Sequence, residues 1–277
     1  MIKETKNMNE AVNKTQQVKL SLINIIEFIN FLKKFSTQEP NILMELRGSE
    51  KLIIKTATPK TANIIKVGEI DFDEIFMTDD NIPDNILIGL YNIGNFINTF
   101  SLLDEDKIDI TIFYEKNKKN ELIGKRITIE TENLKYHFTN APRESFQYLE
   151  DELVNRIFNP DTFAFSFDLD KNLLLKIQKL VNNEASKAFT LCAEIGENVY
   201  FKAKQFELKV TSPQTINDNA SILIGKQYLG VIDRDDYEVM VVDKGMLLKS
   251  KNSKILIAIA REKPPEITLD NNEMEIL

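Results

Sequence analysis

The amino-acid sequence predicts an α+β chain of two domains with matched topology, each made of two strand, helix and three-strand units that place helices on one face and antiparallel sheets on the other. Three observations carry this expectation. Short segments in which apolar and polar residues alternate recur along most of the chain, the pattern of half-buried strands. Segments with apolar residues at helical spacing interrupt them at intervals. A proline-bearing stretch at residues 141–161 breaks the alternation, and the same order of elements then restarts. With 277 residues, 43% of them hydrophobic, the chain can fill one large or two mid-sized cores, which excludes disorder over its whole length.

Residues 1–16 are rich in Asn, Lys and Glu with little periodic apolar content, and are expected to form a flexible leader. The first domain is expected at residues 17–140. In SLINIIEFINFLKKF, residues Leu22, Ile25, Phe28, Ile29, Leu32 and Phe35 recur at helical spacing while Asn24, Glu27, Asn30 and Lys34 share the opposite face. That spacing predicts an amphipathic helix capped by Ser21 and closed before Pro40. ILMELRG, KLIIKTATPK and NIIKVGEIDFDEIF then alternate, with turn chemistry at Gly48 and Pro59, and predict three strands. ILIGLYNIGNFINTFSLLDED changes period midway, from a strand over Ile86–Tyr91 to a short helix that buries Ile93, Phe96, Ile97 and Phe100. DKIDITIFYEK, KRITIETEN and LKYHFTN follow as three more strands.

Residues 141–161 contain two prolines and read as the interdomain connector, and the second domain is expected at 162–262. TFAFSFDLD predicts a strand. Asp170 then caps a helix, KNLLLKIQKLVNN, with Leu173, Leu174, Ile177, Leu180 and Val181 inward. AFTLCAEIGE, NVYFKAKQ and FELKVTSP read as strands, SILIGKQYLGVI as a strand with a short helical turn, and YEVMVVDK, GMLLKSKN and KILIAIARE as the closing three. Residues 263–277 open on two prolines and are expected to form a flexible acidic tail.

Several classes of chemistry are improbable on composition alone. One cysteine, Cys192, and one histidine, His137, cannot supply a Cys/His zinc site or a Cys-His dyad with members to spare, and both read as packing residues. Asp71 and Asp73 would share a strand face, but the pattern places no third metal ligand beside them. Gly124-Lys125 and Gly225-Lys226 lack a phosphate-loop context, because Lys119 and Ala220 stand where the upstream glycine belongs and Arg126 and Gln227 where Ser or Thr belongs. No cofactor and no catalytic set can be assembled. The longest apolar runs, such as Ile255–Ala260, fall far short of the roughly 18 residues of a membrane span. The 35 basic and 43 acidic residues give a net charge of −8, so a nucleic-acid partner would require lysines gathered on one surface.

With its elements in this order, the chain resembles the sliding clamps, the DNA polymerase processivity factors, and most closely the trimeric two-domain clamps of tailed bacteriophages. The likeness rests on Ser21–Lys55, the IDFD strand at Ile70–Asp73, GLYNIGNFINTFSLLDEDKIDITI at Gly89–Ile112, the helix at Lys171–Asn183, and YEVMVVDKGMLLKSKNSKILIAIA at Tyr237–Ala260. The resemblance implies a non-enzymatic homotrimeric ring around duplex DNA that tethers the replicative polymerase and is placed by a clamp loader, in the cytoplasm of the host cell if the chain is viral. The other reading of the residues is a β-rich phage structural or interaction protein without DNA contact.

On the helix at Lys171–Asn183, residues Asn172, Lys176, Lys179 and Asn183 fall on one stripe opposite the leucines, with no acid among them. A solvated face is the plain reading. The resemblance makes them DNA-facing groups that meet phosphates without reading bases, as sliding requires. Lys33 and Lys34 close the first helix, where either DNA contact or the helix dipole accounts for them. Phe146, Tyr148 and Leu149 place three bulky apolar side chains in a segment expected to be exposed. They either pack locally or, as the resemblance implies, border a docking groove for partner peptides completed by Ala260 and Pro264.

Overall fold

The computed structural model describes residues 15–58, 63–103 and 107–262. The predicted tail, Pro264 with it, and the first fourteen residues of the predicted leader lie outside the described residues.

The elements are β1 (Gln16–Leu22), α1 (Ile25–Ser36), β2 (Ile42–Arg47), β3 (Lys51–Ala57), β4 (Ile64–Asp71), α2 (Phe72–Ile75), β5 (Phe76–Met77), β6 (Ile86–Leu90), α3 (Ile93–Phe100), β7 (Ile108–Lys116), β8 (Leu122–Glu130) and β9 (Lys135–Thr139). After the connector come α4 (Asp151–Phe158), β10 (Phe165–Leu169), α5 (Lys171–Asn183), β11 (Ala188–Ala193), β12 (Val199–Lys202), β13 (Glu207–Lys209), β14 (Gln214–Ile216) and β15 (Ala220–Gly225). A 3-10 turn at Lys226–Val231 leads to β16 (Tyr237–Val242), β17 (Gly245–Ser250) and β18 (Lys254–Ala260). The strand, helix and three-strand order therefore occurs four times, with the 3-10 turn standing in for the fourth helix.

The described residues cluster into two compact units, those within Met1–Pro59 and Lys66–Glu150 and those within Lys60–Ile65 and Asp151–Leu277. In the first, the strands run β4-β3-β2-β6-β8-β7-β1-β5, with β9 paired to the far half of β8. All but one of the registers described are antiparallel. β6 meets β8 in parallel, Ile86 opposite Leu122 and Leu87 opposite Ile123. α1 buries Phe28, Phe31, Leu32 and Phe35, and α3 buries Ile93, Phe96, Ile97 and Phe100. Phe28 stands edge-on to Phe76 and Phe100 at centroid distances of 5.3 and 5.6 Å, so aromatic packing fixes both helices to each other and to the sheet.

In the second unit, one sheet runs β14-β10-β16-β17-β18 and another β13-β12-β11-β15. α5 buries Leu174, Ile177 and Val181, and Phe167 and Phe189 close on Phe201 at 5.7 and 5.9 Å. α4 packs Val154 and Phe158 inward.

Four local expectations are corrected. Ser21 does not cap a helix: it pairs with Asp109 in β1, and Asn24 caps α1 by accepting from the Glu27 N–H at 3.1 Å. β1 begins at Gln16, inside the expected leader, because Val18, Leu20 and Leu22 are all buried. The connector contains a helix, α4, since Val154 and Phe158 share one face and Asp151 and Glu152 suit its first turn. Asp71 and Asp73 do not share a strand face, as the chain turns into α2 at Phe72.

Candidate functional site

α5 starts at Asp170, whose carboxylate accepts from the N–H groups of Asn172 and Leu173 at 2.8 and 2.9 Å, the N-cap geometry expected of Asp. With Leu174, Ile177 and Val181 buried, Asn172, Lys176, Lys179 and Asn183 are all exposed. Three lysines and no acid occur along the helix, so its outer stripe is a local positive surface on an acidic chain. The far end is held by Lys226, whose Nζ donates to the carbonyls of Asn182 and Glu184 at 3.3 and 3.0 Å.

α1 ends in the same way. Lys33 is exposed and Lys34 half-buried in its last turn. Lys66, 0% exposed on β4, donates to the Lys34 carbonyl and stands 5.7 Å from the Phe35 ring centroid. Each of these two helices thus has its unsatisfied C-terminal carbonyls met by a lysine ammonium from a neighbouring element. The sequence does not announce the role of Lys66 or of Lys226, which it shows only as part of a Gly-Lys pair. For Lys66 the available signal was a lysine set in the apolar start of β4, between Ile65 and Val67. The sequence of α3 offers a neutral face of Asn95, Asn98, Thr99 and Ser101; Asn95, Asn98 and Ser101 are exposed, while Thr99 is buried and its hydroxyl donates to the Asn95 carbonyl at 3.1 Å.

The connector crosses the sheet of the first unit. Leu43 pairs with Gly89, and Glu45 pairs with both Ile53 and Leu87, while Leu87 pairs with Ile123. Leu43, Leu87 and Ile123 form a buried cluster against which Phe146 and Tyr148 pack half-buried. Leu149 is 2% exposed. The three predicted groove residues therefore lie together, folded onto the sheet rather than presented to solvent. Ala260, half-buried, ends β18 in the second unit and donates its N–H to the Asn63 carbonyl at 2.8 Å. A hollow of about 550 Å³ borders Tyr148, lined also by Ile82, Pro83, Asn85, Leu87 and Lys116. Another of about 180 Å³ borders Phe146, lined also by Asn41, Leu43, Lys55 and Ser145.

His137 is exposed on β9 and meets the Thr128 hydroxyl at 2.9 Å, so it is an edge residue rather than a core one. Cys192 is half-buried, and burial pushes its thiol upward despite the opposing Lys202 charge. Among the described residues no group of three or more His, Cys, Asp and Glu side chains could hold a metal ion. No helix among them is long and apolar enough to cross a membrane.

The whole-chain comparison decides the fold. Proliferating cellular nuclear antigen from Entamoeba histolytica superposes with a TM-score of 0.62 over 89% of this chain and 99% of its own, at 11% identity. The chain has the PCNA-type clamp fold. A PCNA2–PCNA3 complex from Sulfolobus tokodaii contains a chain that matches with a TM-score of 0.55 over 89% of this chain and 99% of that one, at 13% identity. No protein-family model and no curated protein matches the sequence. The likeness is carried by element order and backbone path, with side chains almost wholly replaced.

Proposed function

We propose that the chain is a DNA sliding clamp, a non-enzymatic ring that encircles duplex DNA and tethers a replicative polymerase by keeping it at high effective concentration near the template. The observation that carries this reading is the acid-free lysine stripe of α5 on a clamp fold, in a chain whose net charge is −8. Asn172, Lys176, Lys179 and Asn183, with Lys33 and Lys34 as the lesser contribution, meet phosphates without reading bases. The proposed ring is a homotrimer of the phage type. Its subunits join head to tail, a heterologous contact that closes by rotation and covers sheet edges otherwise open to aggregation. The proposed partners beyond DNA are the polymerase and the clamp loader, which bind the connector face at Phe146, Tyr148 and Leu149.

The test joins mass to topology. Sedimentation at micromolar protein is expected to give three chains per particle. Protein loaded on nicked circular DNA is expected to stay bound through gel filtration and to be lost once the circle is cut. A monomer that leaves circular and linear DNA equally fast would refute the ring.

A further inference from the structure

The ends of α5 are charged against the usual polarity of a helix. An N-terminal end attracts anions through its free N–H groups, and a C-terminal end repels them through its free carbonyls. In α5 the N-terminal donors are already taken. The Asp170 carboxylate accepts from Asn172 and Leu173, and the Asp236 carboxylate, just before β16, accepts from the Lys171 N–H at 2.8 Å. The next N–H, that of Leu174, bonds to the Asp170 carbonyl at 2.9 Å. Two carboxylates therefore occupy the end of the helix where a phosphate would ordinarily be accepted.

The opposite end is reversed as well. The Val181 carbonyl accepts from the Glu184 N–H at 3.2 Å, and the Lys226 ammonium covers the carbonyls of Asn182 and Glu184. Lys226 is itself held in place: it is half-buried at the start of the 3-10 turn, and its N–H donates to the Lys187 carbonyl at 2.8 Å. The same turn meets the middle of the helix, where the Leu229 carbonyl accepts from Gln178 Nε2 at 3.0 Å. Residues 226–236 thus splint α5 with a base at its end and an acid at its start. α1 of the first unit repeats this polarity, with Glu27 in its first turn, Lys33 and Lys34 in its last, and Lys66 on the Lys34 carbonyl. α3 carries no lysine, and it has neither an acid in its first turn nor a base in its last.

We propose that Lys226 is a positioning residue for phosphate binding: it makes the C-terminal end of α5 the end that receives a nucleic-acid phosphate, which docks on Lys179 and Asn183 and not at the Asp170 end. Lys179 and Asn183 are neighbours one helical turn apart, both exposed, and neither side chain has a partner among the described residues. Bare carbonyls at this end would repel the phosphate and draw the Lys179 ammonium onto themselves. With Lys226 on those carbonyls, the Lys179 ammonium and the Asn183 amide stay available to the ligand. This deepens the DNA contact of the clamp reading and rests on it for the identity of the ligand.

The probe is a short labelled DNA duplex of mixed sequence, titrated with the full chain at several salt concentrations and read by fluorescence anisotropy. Lys179→Gln is expected to weaken binding roughly threefold or more and to lower the salt slope by about one unit. Lys171→Gln removes the same charge at the acid end and is expected to change neither. Lys226→Met keeps the length of the side chain without its ammonium and should weaken binding as much as Lys179→Gln, while Lys226→Arg should bind as the unaltered chain does. Lys226→Met combined with Lys179→Gln should bind no worse than Lys179→Gln alone, because the one residue acts through the other. Equal losses from Lys171→Gln and Lys179→Gln, binding unmoved by Lys226→Met, additive losses in the double variant, or a loss in Lys226→Arg would each overturn the proposal. A measurement without variants stands even where Lys226→Met fails to fold. In the unaltered chain the duplex should shift the amide resonances of Asn182 and Asn183 more than those of Lys171 and Asn172, and equal shifts or the reverse order would overturn it. None of these readings requires a closed ring. A chain retained on circular DNA that meets the duplex at the Asp170 end keeps the clamp reading and loses this one, whereas an unaltered chain that binds no duplex loses both.

Discussion

Adjacent residues in the connector have different duties, and the difference is measurable. Leu149 is buried, so Leu149→Ala should lower stability by about 2–4 kcal/mol through lost burial and a residual cavity, read as a fall in denaturant midpoint with an unchanged slope. Phe146→Ala removes a half-buried ring and should cost clearly less. If the two variants were equally destabilised, the segment would be core throughout. In the turn before β16, burial alone would raise the Asp235 carboxyl, but hydrogen bonds from Ser250, Asn252, the Asp236 N–H and Ser253 outweigh it and hold it below its ordinary value. A depressed folded-state value means that the stabilisation is complete above the unfolded pKa, near 4, and is lost as pH falls through the folded one. Ser250→Ala should therefore move the Asp235 titration upward in a carboxyl-detected NMR series and weaken the chain most above pH 4. A titration that does not move would remove Ser250 from the cause.

At the scale of elements, the helices would offer unequal surfaces to the DNA of the proposed ring. α5 shows lysines and asparagines. The exposed surface of α1 mixes Glu27 and Asn30 with Ile26, which is 69% exposed, and α3 is neutral. Lys176→Glu with Lys179→Glu should leave assembly intact, shorten retention on circular DNA and reduce the salt dependence of binding by roughly one logarithmic slope unit for each phosphate no longer neutralised. Lys33→Glu should do much less. Retention equally sensitive to both would shift the DNA-facing surface to α1. The α5 stripe was legible in the sequence because a capped helix with a regular apolar stripe fixes its opposite face without help from the rest of the chain. Other elements were harder to read for physical reasons. The alternation of Val18, Leu20 and Leu22 ran straight into a helical pattern that claimed Ser21 and Leu22. α4, between Pro142 and Pro160, has only two turns. β14 has three residues, too few for any period. The burial of Phe146, Tyr148 and Leu149 depends on Gly89, Lys55 and Leu43, all far away in the sequence, and no local pattern encodes it.

At the scale of the whole molecule, the proposed ring can close by pairing strand edges, and the folded chain offers some. β9 pairs only with β8, and β13 only with β12, among the described residues. Along β9, the Asn140 N–H just beyond the strand turns inward to the Lys125 carbonyl at 3.0 Å. N–H directions alternate along a strand, so that of His137 points outward, away from β8. A proline on such an edge removes only the outward donor and is tolerated by the sheet behind it. His137→Pro should therefore preserve the thermal stability of the folded chain yet convert the proposed trimer to monomer in sedimentation at micromolar protein, and with it abolish retention on circular DNA. His137→Ala removes the ring that meets Thr128 but keeps the backbone donor, and should remain trimeric. The pair separates edge pairing from side-chain packing. If the proline variant still assembles, β9 is not the seam, and the ring has to close through the edges of the second unit or through side chains alone.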